Sequence, residues 1–513
     1  MSGSAARKVY VISDLHLGGE YSKTPEGRGF RINTHARELT EFVDALALAS
    51  QSGSSIELVI NGDMVDFLAE RSDPRDGQAW TPFTRDSEAA CAKLQSIADR
   101  DAGFFKALGA FLENGHRLTI LTGNHDVELS LFPVRQKLKE IIGVQPHHNY
   151  ELISNGEAYV VGDALIEHGN RYDRWNAIDH DRLRRISSLL SRKQSVPKEY
   201  EFDPPPGSKL VAWVINQIKE EYKFIDLLKP ETDVAVPWLL ALEPGYRQIL
   251  ATVAKLALKA RFHAMRKAAL PGFGGDIHAG PELSAAPASF GSDMGAFSAE
   301  SSSIASQEAD GEAALEEILR NRLPGDSREF LDALPNIAVP PIAGIGGDIS
   351  AASFVDRSIG MAKLLFSRDD ADVGRRLPAL LKAFQALQPD RSFDPGHEAA
   401  PEYIDAANEL FEGGFRFVVF GHTHLAKKIE LQPGRWYLNS GTWSDLIQLP
   451  QEIITALPQE AGKRLERFVQ DMSLGFLKSW IIFRPTYLRL DLDSTDRLIG
   501  TELVHYESNS LSL

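Results

Sequence analysis

Five short stretches of the chain end an apolar run in Asp, Asn or His beside a glycine. In order they are "SDLHLGG" (13–19), "NGDMVDF" (61–67), "TGNHDVE" (122–128), "EHGNRYD" (167–173) and "FGHTHLA" (420–426). Imidazole nitrogen mixed with carboxylate and amide oxygen is a donor set that suits Mn, Fe, Zn or Co better than Ca. Glycine lets the backbone turn sharply and come close to a ligand. Metal ligands or catalytic groups at the carboxyl ends of strands produce this layout. Taken one at a time, each block has a plainer explanation. Asp-x-His serves as a strand-end cap or surface pair, and Gly-Asn-His-Asp as a turn, since Asn and Asp suit turns. Five in succession are different, because packing gives no reason for core strand after core strand to end in metal-type ligands.

The elements that must position these groups are legible as runs. Strand-like segments occur at "KVYVIS" (8–13), "IELVIN" (56–61), "RLTILT" (117–122) and "AYVVGDALIEH" (158–168). Between them, "ARELTEFVDALALA" puts Leu39, Phe42, Val43 and Leu46 on one helical face, and "FFKALGAFLE" does so with Phe104, Phe105, Leu108, Phe111 and Leu112. Strands alternating with helices predict an α/β layered fold. Strand texture returns at "FRFVVFGHTH", "RWYLNSGTW", "SWIIFRP" and "TYLRLDLD". Between these two regions lie helix-like segments with Pro/Gly-rich joints such as "FDPPPGS", and a small, polar, Gly/Ser/Ala-rich stretch at 274–312 that reads as a flexible loop. The division expected is a first core part at 1–180, a mostly helical insertion at 181–400, and a second core part at 401–513.

In series, Asp-x-His, Gly-Asp-x-x-Asp, Gly-Asn-His-Asp, His-Gly and Gly-His-x-His resemble the signature of the calcineurin-like metallophosphoesterases. The resemblance spans roughly 8–180 and 415–450, with every block present in order. It implies an α/β (α+β) fold, a four-layer β-sandwich flanked by helices, carrying two divalent metal ions, with Mn2+ the first expectation and Fe, Zn or Co as others. Carried over by position, Asp14, His16 and His424 would hold one ion, Asp63 would bridge, and Asn124, His168 and His422 would complete the second. The two histidines of "GHTH" would reach different ions, which their spacing on extended chain permits. The activity implied is phosphoester hydrolysis by a metal-bridging hydroxide. His125 would protonate the leaving oxygen, with Asp126 orienting it.

Other residues keep two readings. Asp66 is either a support for a ligand or a solvent-facing or salt-bridged carboxylate. Asn170 and Arg171 could meet the phosphate beside Asn124, Arg bidentately; the competing account is an Arg171–Asp173 or Arg171–Asp66 pair. His147 and His148 read as surface residues. In substrate, "GDMVDFLAE" and "GNHDVE" depart from the Ser/Thr protein phosphatases, which have Arg-Gly after the second block and Gly-Asn-His-Glu in the third. The blocks "ISDLHLGG", "HGNRYD" and "GHTHLA" followed by "YLNSGTW" look closer to the bacterial UDP-2,3-diacylglucosamine hydrolase-like branch, which releases UMP and lipid X from a pyrophosphate. That branch commonly has Gly-Asn-Arg-Asp and lacks so long an insertion.

Composition sets bounds. The chain of 513 residues is 43% hydrophobic and 25% charged, values of a globular protein. Its formal net charge of −16 argues against a broad nucleic-acid surface. One cysteine, Cys91, allows neither an internal disulfide nor a thiolate cluster. The opening "MSGSAARKVYVIS" shows no apolar signal-peptide region, and no run of roughly 18 apolar residues suggests a membrane span, so the expected location is cytoplasmic. The segment 249–270, with Leu256, Leu258, Phe262 and Met265 among Lys255, Lys259, Arg261, Arg266 and Lys267, is either a core-facing helix with a solvated basic side or a peripheral contact with the inner membrane. The leading expectation is a phosphodiester or pyrophosphate hydrolase acting on a nucleotide- or lipid-linked phosphate ester. A nuclease or cyclic-nucleotide phosphodiesterase is the second reading, and a non-catalytic metal-binding scaffold with a partner-binding insertion the third.

Overall fold

The computed structural model describes residues 7–23, 29–49, 55–72, 79–173, 175–229 and 391–507, together with 377, 378, 380, 381 and 384. The first sheet takes β1 (Arg7–Ile12), β2 (Ser55–Asn61), β3 (Arg117–Leu121), β4 (Asn149–Ile153), and, from the far end of the chain, β13 (Thr486–Leu492) and β14 (Leu498–His505). Its order is β14-β13-β1-β2-β3-β4, parallel from β1 to β4 and antiparallel at β13 and β14. The parallel strands are linked by α1 (Ala36–Leu48), α2 (Ser87–Arg100), α3 (Ala102–Glu113) and α4 (Phe132–Ile142), as parallel crossovers require. A second sheet, ordered β5-β6-β8-β10-β9, uses β5 (Tyr159–Val161), β6 (Ala164–Ile166), β8 (Phe417–Phe420), β9 (Lys427–Gln432) and β10 (Arg435–Asn439). A small third sheet joins β7 (Leu228–Lys229), β11 (Leu446–Gln448) and β12 (Ile481–Ile482). The fold is therefore mixed α/β with several mixed sheets.

Period-2 alternation explains which face of β1 goes where. Val9 and Val11 pack with Val59, Leu121, Ile166, Val419 and Leu438, so the two larger sheets share one apolar cluster. Tyr10 and Ile12 point the other way, with Leu58, Ile60, Leu118 and Ile120, into a cluster built by Leu39, Phe42 and Leu46 of α1, Leu94 of α2, Phe104 and Phe111 of α3 and Leu138 of α4. The outer face of the second sheet, Val418, Phe420 and Tyr437, meets Tyr403, Ala407 and Phe411 of the helix Pro401–Glu412. Both faces of the central strands are buried, which is why those strands read as continuous apolar runs.

The strands expected at 8–13, 56–61 and 117–122 form within a residue of those bounds. The run 158–168 is instead a hairpin, β5 against β6, turned at Gly162 with φ +58. The segment "VAWVINQIKEEY" is helical through Lys219, with a widened π turn at Val211–Ile215. The chain divides into two compact units, one of Met1–Glu231, Asp390–Leu449 and Phe468–Leu513, the other of Thr232–Pro389 and Pro450–Arg467. In the second, the described elements are chiefly the helix Gln451–Thr455 and the start of the helix Pro458–Ser473. The basic segment 249–270 and the loop 274–312 lie outside the described residues.

Candidate metal centre

Loops at the carboxyl ends of β1, β2, β3, β6 and β8 carry the five blocks. Backbone hydrogen bonds lock them to one another: Leu15 N and His16 N both donate to Asp63 O at 2.9 Å, and Gly421 N donates to His168 O at 2.9 Å. Asp14 (φ 54), His16 (φ 45), Asp63 (φ 51), His422 (φ 67) and His424 (φ 64) all have left-handed backbone. Among the described residues only Lys193 and Asp496 are the other non-glycine cases. Such conformations cost of order 1–3 kcal/mol each and persist where surrounding structure imposes them. This corrects the extended-chain account of "GHTH". His422 and His424 are turned to their places by left-handed backbone about a tight turn in which Thr423 N donates to Gly421 O at 2.7 Å.

The side chains form two triads, joined by a third group of His16, Asp63 and His125. Asp14, His16 and His424 offer donor atoms all within 4.8 Å of one another, as do Asp63, His168 and His422. In the first, His16 Nε2 and His424 Nε2 are 3.0 Å apart, and His424 Nε2 is 3.5 Å from Asp14 Oδ1. In the second, His168 Nε2 lies 3.1 Å from Asp63 Oδ2. Asp63 Oδ2 is also 3.8 Å from His16 Nε2, so this carboxylate stands between the triads. Asn61 O accepts from His168 Nδ1–H at 2.8 Å, which turns Nε2 toward Asp63.

Burial tests whether these groups suit a metal. Asp14, His16, Asp63 and His168 are nearly inaccessible, and Asn124 is 4% exposed. Among the described residues Asn124 Oδ1 is buried with no hydrogen-bond partner, as are His424 Nδ1 and His16 Nδ1, the latter 3.7 Å from Asp66 Oδ2. A buried carbonyl oxygen without a donor is costly, and a cation would satisfy it. Burial pushes the Asp14 carboxyl up, and Asp63 nearby adds to that. For Asp63, burial acts upward too but is outweighed by His168, His125 and His16, which hold it well below the usual carboxylate range. Burial would lower His168, but Asp63 raises it to about 10. His424 is pushed well down by burial and by Lys229 and His16, which favours the neutral imidazole a metal needs.

Glycines provide the room. A Cβ at Gly123 would stand 2.2 Å from Asp63 Oδ1 and 2.7 Å from His168 Nε2, and one at Gly62 would meet His168 Nδ1 at 2.3 Å. Asp14 is held from the other end of the chain: His422 N donates to its Oδ2 at 3.0 Å, and Thr442 Oγ1 donates to its backbone O at 2.7 Å.

His125 lies beside the triads, its ring edge-on to His16 at 4.6 Å, and His125 N donates to Asp63 Oδ1 at 2.7 Å. The residue that orients it differs from expectation. His125 Nδ1–H donates to Asp66 Oδ1 at 3.1 Å, whereas Asp126 accepts from Gly123 N at 2.7 Å and Met64 N at 2.9 Å. Asp126 is buried, its pKa raised to about 7 by burial and by Asp63, and it braces the turn that carries Asn124 and His125. For Asp66, burial is overcome by His125, and its carboxyl falls well below the usual range. Asn170 is buried and gives its Nδ2–H to Asn176 O at 2.8 Å. Arg171 is exposed and pairs with neither Asp173 nor Asp66 but with Glu167, Nε to Oε2 at 3.2 Å, and donates to Gly156 O. Asp173, expected only as a pair for Arg171, instead accepts from His422 Nε2 at 3.1 Å. Of the two histidines expected at the surface, His147 is exposed, whereas the His148 side chain is covered and its Nε2 lies 3.4 Å from Glu113 Oε1.

No known protein-family model matches the chain, and no curated protein matches it in sequence. No described helix is long and apolar enough to cross a membrane.

Proposed function

We propose that the chain is a two-metal phosphoesterase of the calcineurin-like type, hydrolysing a phosphodiester or pyrophosphate bond in a nucleotide- or lipid-linked substrate. The observation that carries this reading is the place of Asp63, whose carboxylate groups with His168 and His422 on one side and with His16 on the other. In this reading Asp14, His16 and His424 would hold one divalent ion, Asn124, His168 and His422 would hold the second, and Asp63 would serve both. The sulfur-free N/O donor set suits Mn, Fe, Zn or Co. Ions so held supply Lewis-acid polarisation of a phosphoryl oxygen and bring the pKa of water toward neutrality. The four-layer arrangement belongs to the same proposal: two larger sheets sharing a core, with helices on the outer face of each.

The chain's own groups do the remaining work. Asp14 and Asp63 offset part of the ionic charge, leaving a net attraction for an anionic phosphate. Asp66 fixes the His125 ring through Nδ1–H, and the ring so held would hand a proton to the leaving oxygen. Asp126 keeps the Gly123–Asp126 turn folded against Met64, which sets both Asn124 and His125.

The test is hydrolysis by the purified protein with Mn2+ of an aryl phosphomonoester, an aryl diester and a UDP-linked acylated sugar, with Asp63→Ala alongside. The variant should lose bound metal and at least about a thousandfold in kcat/KM. An Asp63 variant with full activity would sink the two-metal reading. Diester cleavage alone would move the search to nucleotides and nucleic acids, and inactivity on all three with metal bound would favour a scaffold.

A further inference from the structure

Away from the triads, a pocket of about 260 Å3 opens to solvent with Ser130, Arg135, Ser154, Arg184, Ser187 and Ser188 among its lining residues. It lies where α4, the end of β4 and α5 (His180–Ser191) meet. Among the described residues no acidic side chain lines it. Arg184 is already neutralised, pairing with Asp181 and donating to Asn155 O at 2.8 Å. Arg135 is not. Its partners are neutral oxygens: Nη1 donates to Ser130 O at 2.7 Å and Ser154 Oγ at 3.2 Å, and Nη2 to Ser187 Oγ at 3.1 Å. Among the described residues no carboxylate lies within ion-pair distance of it.

A partly buried guanidinium without a counter-charge is an unusual expense in an acidic chain. Burial lowers its pKa, and the nearby Tyr150 phenol opposes this in part. The hydroxyls add a second observation. Ser154 and Ser187 each use an oxygen lone pair to accept from Arg135, so each proton is left to donate, and no acceptor for either is found among the described residues. The pocket thus offers one cation and two hydroxyl donors with nothing negative facing them. That is the chemistry of oxyanion recognition, in which charge-assisted bonds are the strong ones.

We propose that this pocket binds a phosphate-class oxyanion, either inorganic phosphate or the phosphoryl end of a small phosphomonoester, through Arg135, Ser154 and Ser187. The site is separate from the metal centre and does not rest on the reading given to it. The two are neighbours in the chain: Ser130 closes the 3-10 turn Val127–Ser130, which begins directly after Asp126. An oxyanion on Arg135 would therefore lie at the far end of the turn that follows Asp126, where Arg135 donates to Ser130 O.

The full chain, with metal as purified, is titrated calorimetrically with inorganic phosphate and with glycerol phosphate, beside Arg135→Gln, Ser187→Ala and Asp63→Asn. The pocket's binding should weaken at least about tenfold in Arg135→Gln and roughly threefold in Ser187→Ala. It should survive in Asp63→Asn, where only uptake at the metal centre is lost. Tighter binding of the ester identifies an organic ligand, and equal or weaker binding identifies inorganic phosphate. A folded Arg135→Gln with an unchanged isotherm would overturn the proposal, as would loss of all phosphate binding in Asp63→Asn. Should Arg135→Gln not fold, unchanged affinity in Ser187→Ala overturns it alone.

Discussion

His125 takes part of its ring position from Asp66. Its Nδ1–H goes to Asp66, and Asp66, though buried, stays ionised because His125 and His16 outweigh the cost of burial. An ionised Asp66 holds the imidazole in one tautomer and stabilises the protonated ring, as carboxylates behind catalytic histidines do. Asp66→Asn keeps the volume and removes the charge. It should lower kcat on an alkyl ester by about 10- to 100-fold with metal content unchanged, and His125→Ala should lower it by about 100-fold or more. Both losses should shrink on an aryl ester whose leaving oxygen needs no proton. Equal losses on the two esters would remove His125 from proton transfer, and loss of metal in Asp66→Asn would make Asp66 a support for His16, whose Nδ1 lies 3.7 Å from it. Asp126, first read as the orienting carboxylate, serves the backbone instead, because Gly123 N and Met64 N already take its two oxygens.

The loops after the strands decide whether the ligands meet, and glycine decides whether the loops fit. At Gly123 an added methyl would overlap Asp63 Oδ1 and His168 Nε2, the fixed ends of buried side chains. Gly123→Ala should therefore leave the sheets intact, with an unaltered far-ultraviolet circular dichroism spectrum, yet lower metal occupancy and cut activity by about 100-fold or more. Normal metal content in that variant would show that the cradle has slack. The same elements show what a sequence can reveal. β1, β2, β3 and β8 are buried on both faces and stand out as apolar runs. β4, β9 and β14 are sheet edges with mostly half-exposed side chains, and "NYELI" or "KKIELQ" carries no such run, so pairing to a neighbour is what makes them strands. The residues that converge at the candidate centre were legible because donor types of this kind are few and their blocks recur at strand ends. The left-handed backbone at five of them, and the parts played by Asp66 and Asp173, were not. Those depend on contacts between loops far apart in the chain.

Assembly of the centre requires both ends of the chain. His422 N reaches Asp14 across 408 positions, and Ser13 Oγ lies 2.7 Å from Ser440 Oγ. Beneath them β1 pairs with β13 on one side and β2 on the other. Folding thus brings Asp14 and Asp63 out of water together, against a cluster of imidazoles and on strained backbone, and the positive charge they need comes only in part from His168. Metal bound to the folded state alone should then stabilise the whole chain by RT ln(1 + [L]/Kd), about 2.7 kcal/mol at a hundredfold excess over Kd. Chelation should lower the melting temperature of the wild type by several degrees, reversibly on adding Mn2+. Asp63→Ala, with no site left to empty, should melt at one temperature with or without chelator. An equal chelator effect in both proteins would place the stabilising ion elsewhere. An effect confined to the wild type would tie the stability of the strand ends to the centre they build.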